Sequence, residues 1–289
     1  MSYILLTDSS ADLPAYLVEE LNLHVLPLSV TVNGETFRNF PDEREIRATE
    51  LYAKLRAGAM ATTSAVNVGT FRDFMEPYLK EGKDILYVGF TSGLSGTYQA
   101  GVIAAQELMQ QYPDRKILTV DSLCASQGQG LLVYLVAKKI TAGATIEEAA
   151  AYAEETRLHV CHWFTVDDLF FLKRGGRVSA ATAIIGSTLG IKPVMRVSDE
   201  GKLESFSTVR GRKKSLKALV EHMKETAIDP AEQTVFIVHG DCMEEAETVA
   251  QMIRDEFGVK EIIINFVGPV IGAHSGPGTM AIFYLGTHR

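Results

Sequence analysis

The chain has 289 residues, 46% hydrophobic and 22% charged, a balance that excludes a disordered or fibrous protein. Its formal net charge of -8 argues against general nucleic-acid binding, which needs a surplus of Lys and Arg. Cys124, Cys161 and Cys242 stand far apart in no C-x-x-C spacing, so neither a disulfide framework nor a zinc site is expected, and a reducing, cytoplasmic setting fits best.

The opening MSYILLTDSS enters a strand-like segment without the basic and apolar regions of a signal peptide. No stretch approaches the ~20 apolar residues of a membrane-spanning helix. Residues 3–6, 85–88 and 117–120 are short β-rich runs, each leading through a polar turn into a longer amphipathic stretch. That alternation predicts a mainly parallel sheet covered by helices. Residues 7–10, 91–97 and 121–122 fall at the carboxyl ends of these runs, where open α/β sheets hold their ligands. A second group of strands is expected at 161–166, 194–197, 203–209, 235–238, 262–266 and 281–285, with a hairpin turned at residues 199–201. This half therefore reads as a mixed α/β unit. No Pro- or Ser-rich linker separates the halves, so two packed α/β domains are predicted, residues 1–158 and 159–289, with a cleft between them.

Three stretches carry candidate chemistry. GFTSGLSGTYQ, residues 89–99, joins a strand to a helix and offers Thr91, Ser92, Ser95 and Thr97 beside two glycines. Such a turn suits helix capping, and its free N–H groups and hydroxyls also suit a carboxylate or phosphate. Thr62, Thr63 and Ser64 form a second hydroxyl cluster before a helix-like segment at 68–79, again either a cap or part of an anion site. His274 lies among the glycines and prolines of VGPVIGAHSGPG, placed to donate to an anionic group or to act as a base. No G-x-x-x-x-G-K-[ST] is present, and no G-x-G-x-x-G follows a strand with an acid at the proper distance, so ATP binding by this chain alone is not expected. His159, His162, His222, His239 and His288 share no ligand spacing, and no metal is expected. Eleven Lys and Arg fall between 173 and 217 against three acids; among them Arg174 and Arg177 flank a Gly-Gly turn, suited to an acidic partner or a phosphate.

Taken in order, TDSSADLP (7–14), LPLSVTVNG (26–34), TTS (62–64), TSGLSGTYQ (91–99), DS (121–122), DDLFFLKRGGRVS (167–179) and GPVIGAHSGPG (268–278) resemble the DegV family. These are bacterial fatty-acid-binding proteins, including the binding subunits of fatty acid kinase. The resemblance implies a long-chain fatty acid such as palmitate in an apolar tunnel, its carboxylate near the interdomain cleft. By motif, Thr62 or Thr63 and Ser95 would bond the carboxylate, with Ser92 near it and His274 in support. Ala65, Val66 and Asn67 stand where the family often has glutamine and proline, which leaves both threonines open as the contact. It further implies a protein without catalysis or cofactor of its own, cytoplasmic, in transient contact with membrane. It would offer the acid to a separate ATP-dependent kinase that makes an acyl phosphate for phospholipid synthesis. Arg174, Arg177 and Arg210 would dock that kinase or steady the phosphate. Met60, Met75, Met109, Met195 and Phe170 are candidates either for the tunnel wall or for ordinary core. A different class is a serine hydrolase built from Ser95, His274 and Asp241, although Thr97 stands where the nucleophile elbow needs glycine. A third is a regulatory module sensing lipid or binding nucleic acid through residues 173–217.

Overall fold

The structure is a computed structural model that describes residues 2–179 and 190–289. Its first half runs β1 (Tyr3–Asp8), α1 (Ala15–Glu20), β2 (His24–Leu26), β3 (Ser29–Val32), β4 (Glu35–Arg38), α2 (Ala48–Arg56), β5 (Ala61–Ser64), α3 (Val68–Lys80), β6 (Asp84–Gly89), α4 (Thr97–Gln111), β7 (Ile117–Asp121), α5 (Gln127–Thr141) and α6 (Ile146–Thr156). The predicted parallel sheet is there, in the order β2-β1-β6-β7. Both of its faces are covered, and the strands use period-two alternation to supply two cores. Ile4, Leu6, Ile85 and Tyr87 pack with Phe71, Met75 and Leu108 of α3 and α4. Leu5, Leu86 and Val88 face the other way, onto α5 and α6. Strand order reverses between β1 and β6, which leaves a crevice beyond their carboxyl ends.

The three-stranded antiparallel sheet β4-β3-β5 was not expected from the sequence. Its strands are four residues each, too short to show a period. The structure also corrects the capping reading of residues 62–64: they are strand, Thr63 opposite Val30. The cap of α3 is Asn67, whose Oδ1 accepts the Thr70 N–H at 2.9 Å.

The second half runs β8 (Val160–Thr165), α7 (Leu169–Arg174), β9 (Ile191–Val197), β10 (Leu203–Arg210), α8 (Arg212–Thr226), β11 (Thr234–His239), α9 (Met243–Phe257), β12 (Glu261–Phe266), α10 (Pro269–Ser275) and β13 (Met280–Leu285). Its sheet is mixed, in the order β10-β9-β8-β13-β11-β12, and the hairpin appears with Val197 opposite Leu203. The fold is thus two α/β domains, one on a parallel sheet and one on a mixed sheet. Helices α8 and α9 cover the outer face of the second sheet, over Trp163, Ile237 and Ile282. Its inner face turns towards α5, where Leu132, Val133 and Val136 share one core with Phe164, Phe236 and Phe283. The start of α5 comes so close to β8 that a Cβ on Gly128 would stand 1.9 Å from His162 Nε2. Only glycine fits there.

Candidate functional site

A cavity of about 380 Å³ lies where the two sheets and α10 converge. Its apolar wall includes Phe90 and Leu94 after β6, Phe164, Val238 and Phe283 from the mixed sheet, and Ile271 of α10. That volume and lining match a small-molecule pocket, with a few polar groups to orient the occupant.

Those polar groups come from elements far apart in sequence. Period-two alternation along β5 puts half-buried Thr63 on the cavity side and leaves Thr62 exposed. Thr63 Oγ1 lies 2.7 Å from His274 Nε2, across 211 positions of chain. His274 sits near the end of α10, a helix opened by Pro269 at its first turn, where the missing N–H costs nothing. Gly175, just after α7, gives the ring its room, since a Cβ there would fall 2.2 Å from Nδ1. Burial, and after it the charges of Arg177 and Arg174, lowers the His274 pKa to about 4, so the ring is neutral at pH 7. Arg177 is half-buried and is the one cation among the described lining residues; burial lowers its pKa too.

Ser95 joins them from the N-terminus of α4, where Leu94, Ser95 and Gly96 all line the cavity. Its hydroxyl accepts the Thr97 N–H at 3.2 Å and lies 3.0 Å from Thr97 Oγ1. The N-cap of α4 is Gly96, which makes no side-chain cap bond, and the Ser95 hydroxyl before it takes the Thr97 N–H and lines the cavity. The N-terminus of a helix carries partial positive charge, which favours a negative group beside it.

Other named residues lie elsewhere. Ser92 is exposed, outside the lining, with its N–H on the Asp121 carboxylate at 3.2 Å. Arg174 is exposed, stacks on Phe171 at 4.7 Å and reaches Met60 Sδ at 3.1 Å. Arg210 is exposed at the end of β10. Met60, Met75, Met109, Met195 and Phe170 are all absent from the described lining; Met75 and Met195 are core residues, while Met60 and Phe170 are more than half exposed. The hydrolase constellation is not assembled. Ser95 pairs with Thr97, His274 with Thr63, and Asp241 is drawn off by Arg56, whose Nη2 also reaches the Asp241 carbonyl at 3.0 Å.

Five polar lining residues went unnamed as site candidates in the sequence: Ser10, Ser126, His162, Ser275 and Thr279. Ser10 carries a signal, since it belongs to the hydroxyl pair that ends the first strand. Ser275 carries one too, as the neighbour of His274 in the glycine-rich stretch, whereas Ser126, His162 and Thr279 carry none, because tertiary packing alone brings them to the cavity. Ser275 Oγ is buried without a protein hydrogen-bond partner. His162 is held neutral by burial first and then by the Arg289 charge.

The DegV family, described as an uncharacterised protein family, matches residues 3–287. The chain belongs to the DegV family. Among the relatives of this DegV protein, a DegV domain-containing protein of Clostridium perfringens is 46% identical over 284 residues, covering 98% of this chain and 97% of the relative. Among solved structures, a DegV family protein from Thermus thermophilus, described as fatty-acid binding, superposes with a TM-score of 0.88 at 32% identity, covering 99% of this chain and 100% of that one. The fatty acid kinase B3 protein of Streptococcus pneumoniae, loaded with linoleic acid, has a TM-score of 0.85 at 21% identity over 99% of both chains; that likeness shows the fold alone. No described helix of the DegV chain is long and apolar enough to cross a membrane. Among the described residues, no group of three or more His, Cys, Asp and Glu could hold a metal ion.

Proposed function

We propose that this DegV protein binds one long-chain fatty acid, with its carboxylate at Thr63, Ser95 and His274 and its tail along the apolar wall. The observation that carries this reading is the cavity itself: an apolar pocket lined by hydroxyls, a neutral histidine and a helix N-terminus, with Arg177 as the one cation among its described lining residues. Such a set neutralises one carboxylate without a buried lysine. The Thermus thermophilus relative supports the ligand class. The affinity comes from the tail, at about 0.8 kcal/mol per buried CH₂, or roughly 12 kcal/mol for ~15 methylenes before ordering costs. The head group sets orientation. Thr62 and Ser92 stand outside the lining and take no part in this reading.

The protein performs no chemistry on the acid in this account; it offers the carboxylate, from a tunnel that opens between domains 1–158 and 159–289, to a separate ATP-dependent kinase. Arg174 and Arg210, both exposed, provide charge for docking that partner, while Arg177 reaches the head group or the nascent phosphate. Native mass spectrometry of the purified protein, followed by denaturation, tests the ligand: a stoichiometric fatty acid is expected. Ser95→Ala and Thr63→Val should each weaken retention by about tenfold, the worth of one charge-assisted hydrogen bond. A protein that neither carries nor takes up fatty acid, or variants that retain it like the wild type, would refute the assignment. Reconstitution with a fatty acid kinase and ATP tests presentation separately, and no acyl phosphate from a loaded protein would refute that part.

A further inference from the structure

The segment 122–126, between β7 and α5, forms part of the cavity wall through Ala125 and Ser126. Its backbone is not relaxed: Leu123 has φ 51° and Ser126 φ 53° with ψ −141°, left-handed values that disfavour ordinary side chains. Something must hold it. The Ala125 N–H donates to His162 Nε2 at 3.2 Å, the Thr91 N–H to the Cys124 carbonyl at 3.2 Å, and the Ser126 hydroxyl to Asp12 Oδ2 at 2.5 Å.

The remaining clamp is Arg289, a 6% exposed residue that the fatty-acid reading does not use. A guanidinium has five N–H donors, and here each finds an acceptor. Nε donates to the Val160 carbonyl at 3.1 Å, Nη1 to the carbonyls of Leu123 at 2.7 Å and Ser198 at 3.0 Å, and Nη2 to Cys124 Sγ at 3.0 Å and to the Arg157 carbonyl. Among the described residues no carboxylate bonds to it. A buried charge held only by carbonyls and one sulfur is costly unless every donor is used, so the geometry is demanding. Its acceptors belong to both domains: Leu123, Cys124 and Arg157 precede the mixed sheet, Val160 opens β8 within it, and Ser198 follows β9 in the β9–β10 turn. Val160 also accepts from His162 Nδ1 at 2.8 Å, which fixes the tautomer whose Nε2 receives the Ala125 N–H.

We infer that Arg289 is a positioning residue for the cavity: it latches the strained segment 122–126 against β8 and the β9–β10 turn, and so governs how fast an acyl ligand escapes. The part concerning escape rests on the fatty-acid reading, and the part concerning the segment does not. Two measurements separate them. In hydrogen exchange, which needs no ligand, Arg289→Ala should raise the exchange of the amides at residues 123–126 well above the wild type while α3 and α4 stay protected. In a release assay, delipidated protein reloaded with palmitate should lose it to excess albumin about tenfold faster in Arg289→Ala than in the wild type. Guanidinium ion well below denaturing concentrations should restore slow release, and equal sodium chloride should not. Arg289→Lys keeps the charge but cannot reach acceptors on five residues, so it should release fast as well; it also serves if Arg289→Ala does not fold. Unchanged exchange at 123–126 in a folded variant overturns the latch. Raised exchange with unchanged palmitate release, or no rescue by guanidinium, overturns the control of escape. A wild type that takes up no palmitate overturns the fatty-acid reading and with it the escape claim, while the exchange result still decides the latch.

Discussion

His274 is a histidine that the fold keeps uncharged. Its pKa of about 4 against an ordinary 6.5 means that, between those values, the unfolded chain binds a proton that the folded chain refuses. Stability of the ligand-free protein should therefore fall as pH drops from about 6.5 towards 4, and His274→Asn should remove part of that loss. Denaturant melts of both proteins at pH 7 and pH 4.5 check it; an unaltered pH dependence in the variant would mean that the ring is not desolvated as described. The physical purpose of neutrality is plain in the site. A neutral ring that pairs with Thr63 preserves a fixed hydrogen-bond geometry, whereas an imidazolium would be repelled by Arg177 and Arg174. Little of this was legible in the sequence. His274 could be picked out from its glycine-rich surroundings, but its partner Thr63 could not be told from Thr62 until β5 had a face.

At the scale of elements, α5 is the part that both sheets share. It begins at the strained segment 122–126, inserts Gly128 against His162, and sends Gln129 back to Thr7, with Nε2 3.0 Å from Oγ1. Gly128→Ala would push a methyl group into a ring that is itself tied at both nitrogens and cannot swing aside. We expect this single methyl to cost about 1–3 kcal/mol, read as a lower urea midpoint, whereas Ala142→Gly just past the end of the same helix should cost far less. A wild-type midpoint in Gly128→Ala would show that α5 and β8 are not packed as described. Long elements with both faces buried, such as β1 and β6, announced themselves by apolar runs. The small sheet β4-β3-β5 did not, because four-residue strands are too short to show a period and the run Thr62-Thr63-Ser64 looks like loop or cap.

Across the whole molecule, the two domains meet around Asp12. Its carboxylate takes the Ser126 hydroxyl, and its carbonyl accepts from Gln127 Nε2 at 3.1 Å and Asn265 Nδ2 at 2.9 Å, one from each side of the junction. Burial drives its pKa up to about 8, with the Asp8 charge adding to it, while bonds from Ser126 and the Gly268 N–H pull the other way. Between about pH 4 and pH 8 the fold holds a proton that the unfolded chain has released, so this group lowers stability as pH rises. The sign is opposite to that of His274. Asp12→Asn, which tolerates the left-handed φ of 50°, should flatten the decline between about pH 4 and pH 8. Thermal melts across that range measure it, and an unchanged slope would place the proton elsewhere.

The sequence by itself determined the two α/β units, the parallel and mixed character of their sheets, the β9–β10 hairpin, the DegV resemblance and the hydroxyl-rich turn at the mouth of α4. Each depends on a local period or a contiguous motif, which a chain carries whatever its surroundings. Tertiary structure alone decided which threonine of residues 62–64 faces the cavity, that His274 reaches it, that Arg177 lines it while Arg174 and Arg210 do not, and that Arg289 braces its wall. Those outcomes depend on contacts between residues one to two hundred positions apart, where burial and strand facing, rather than residue type, assign the role.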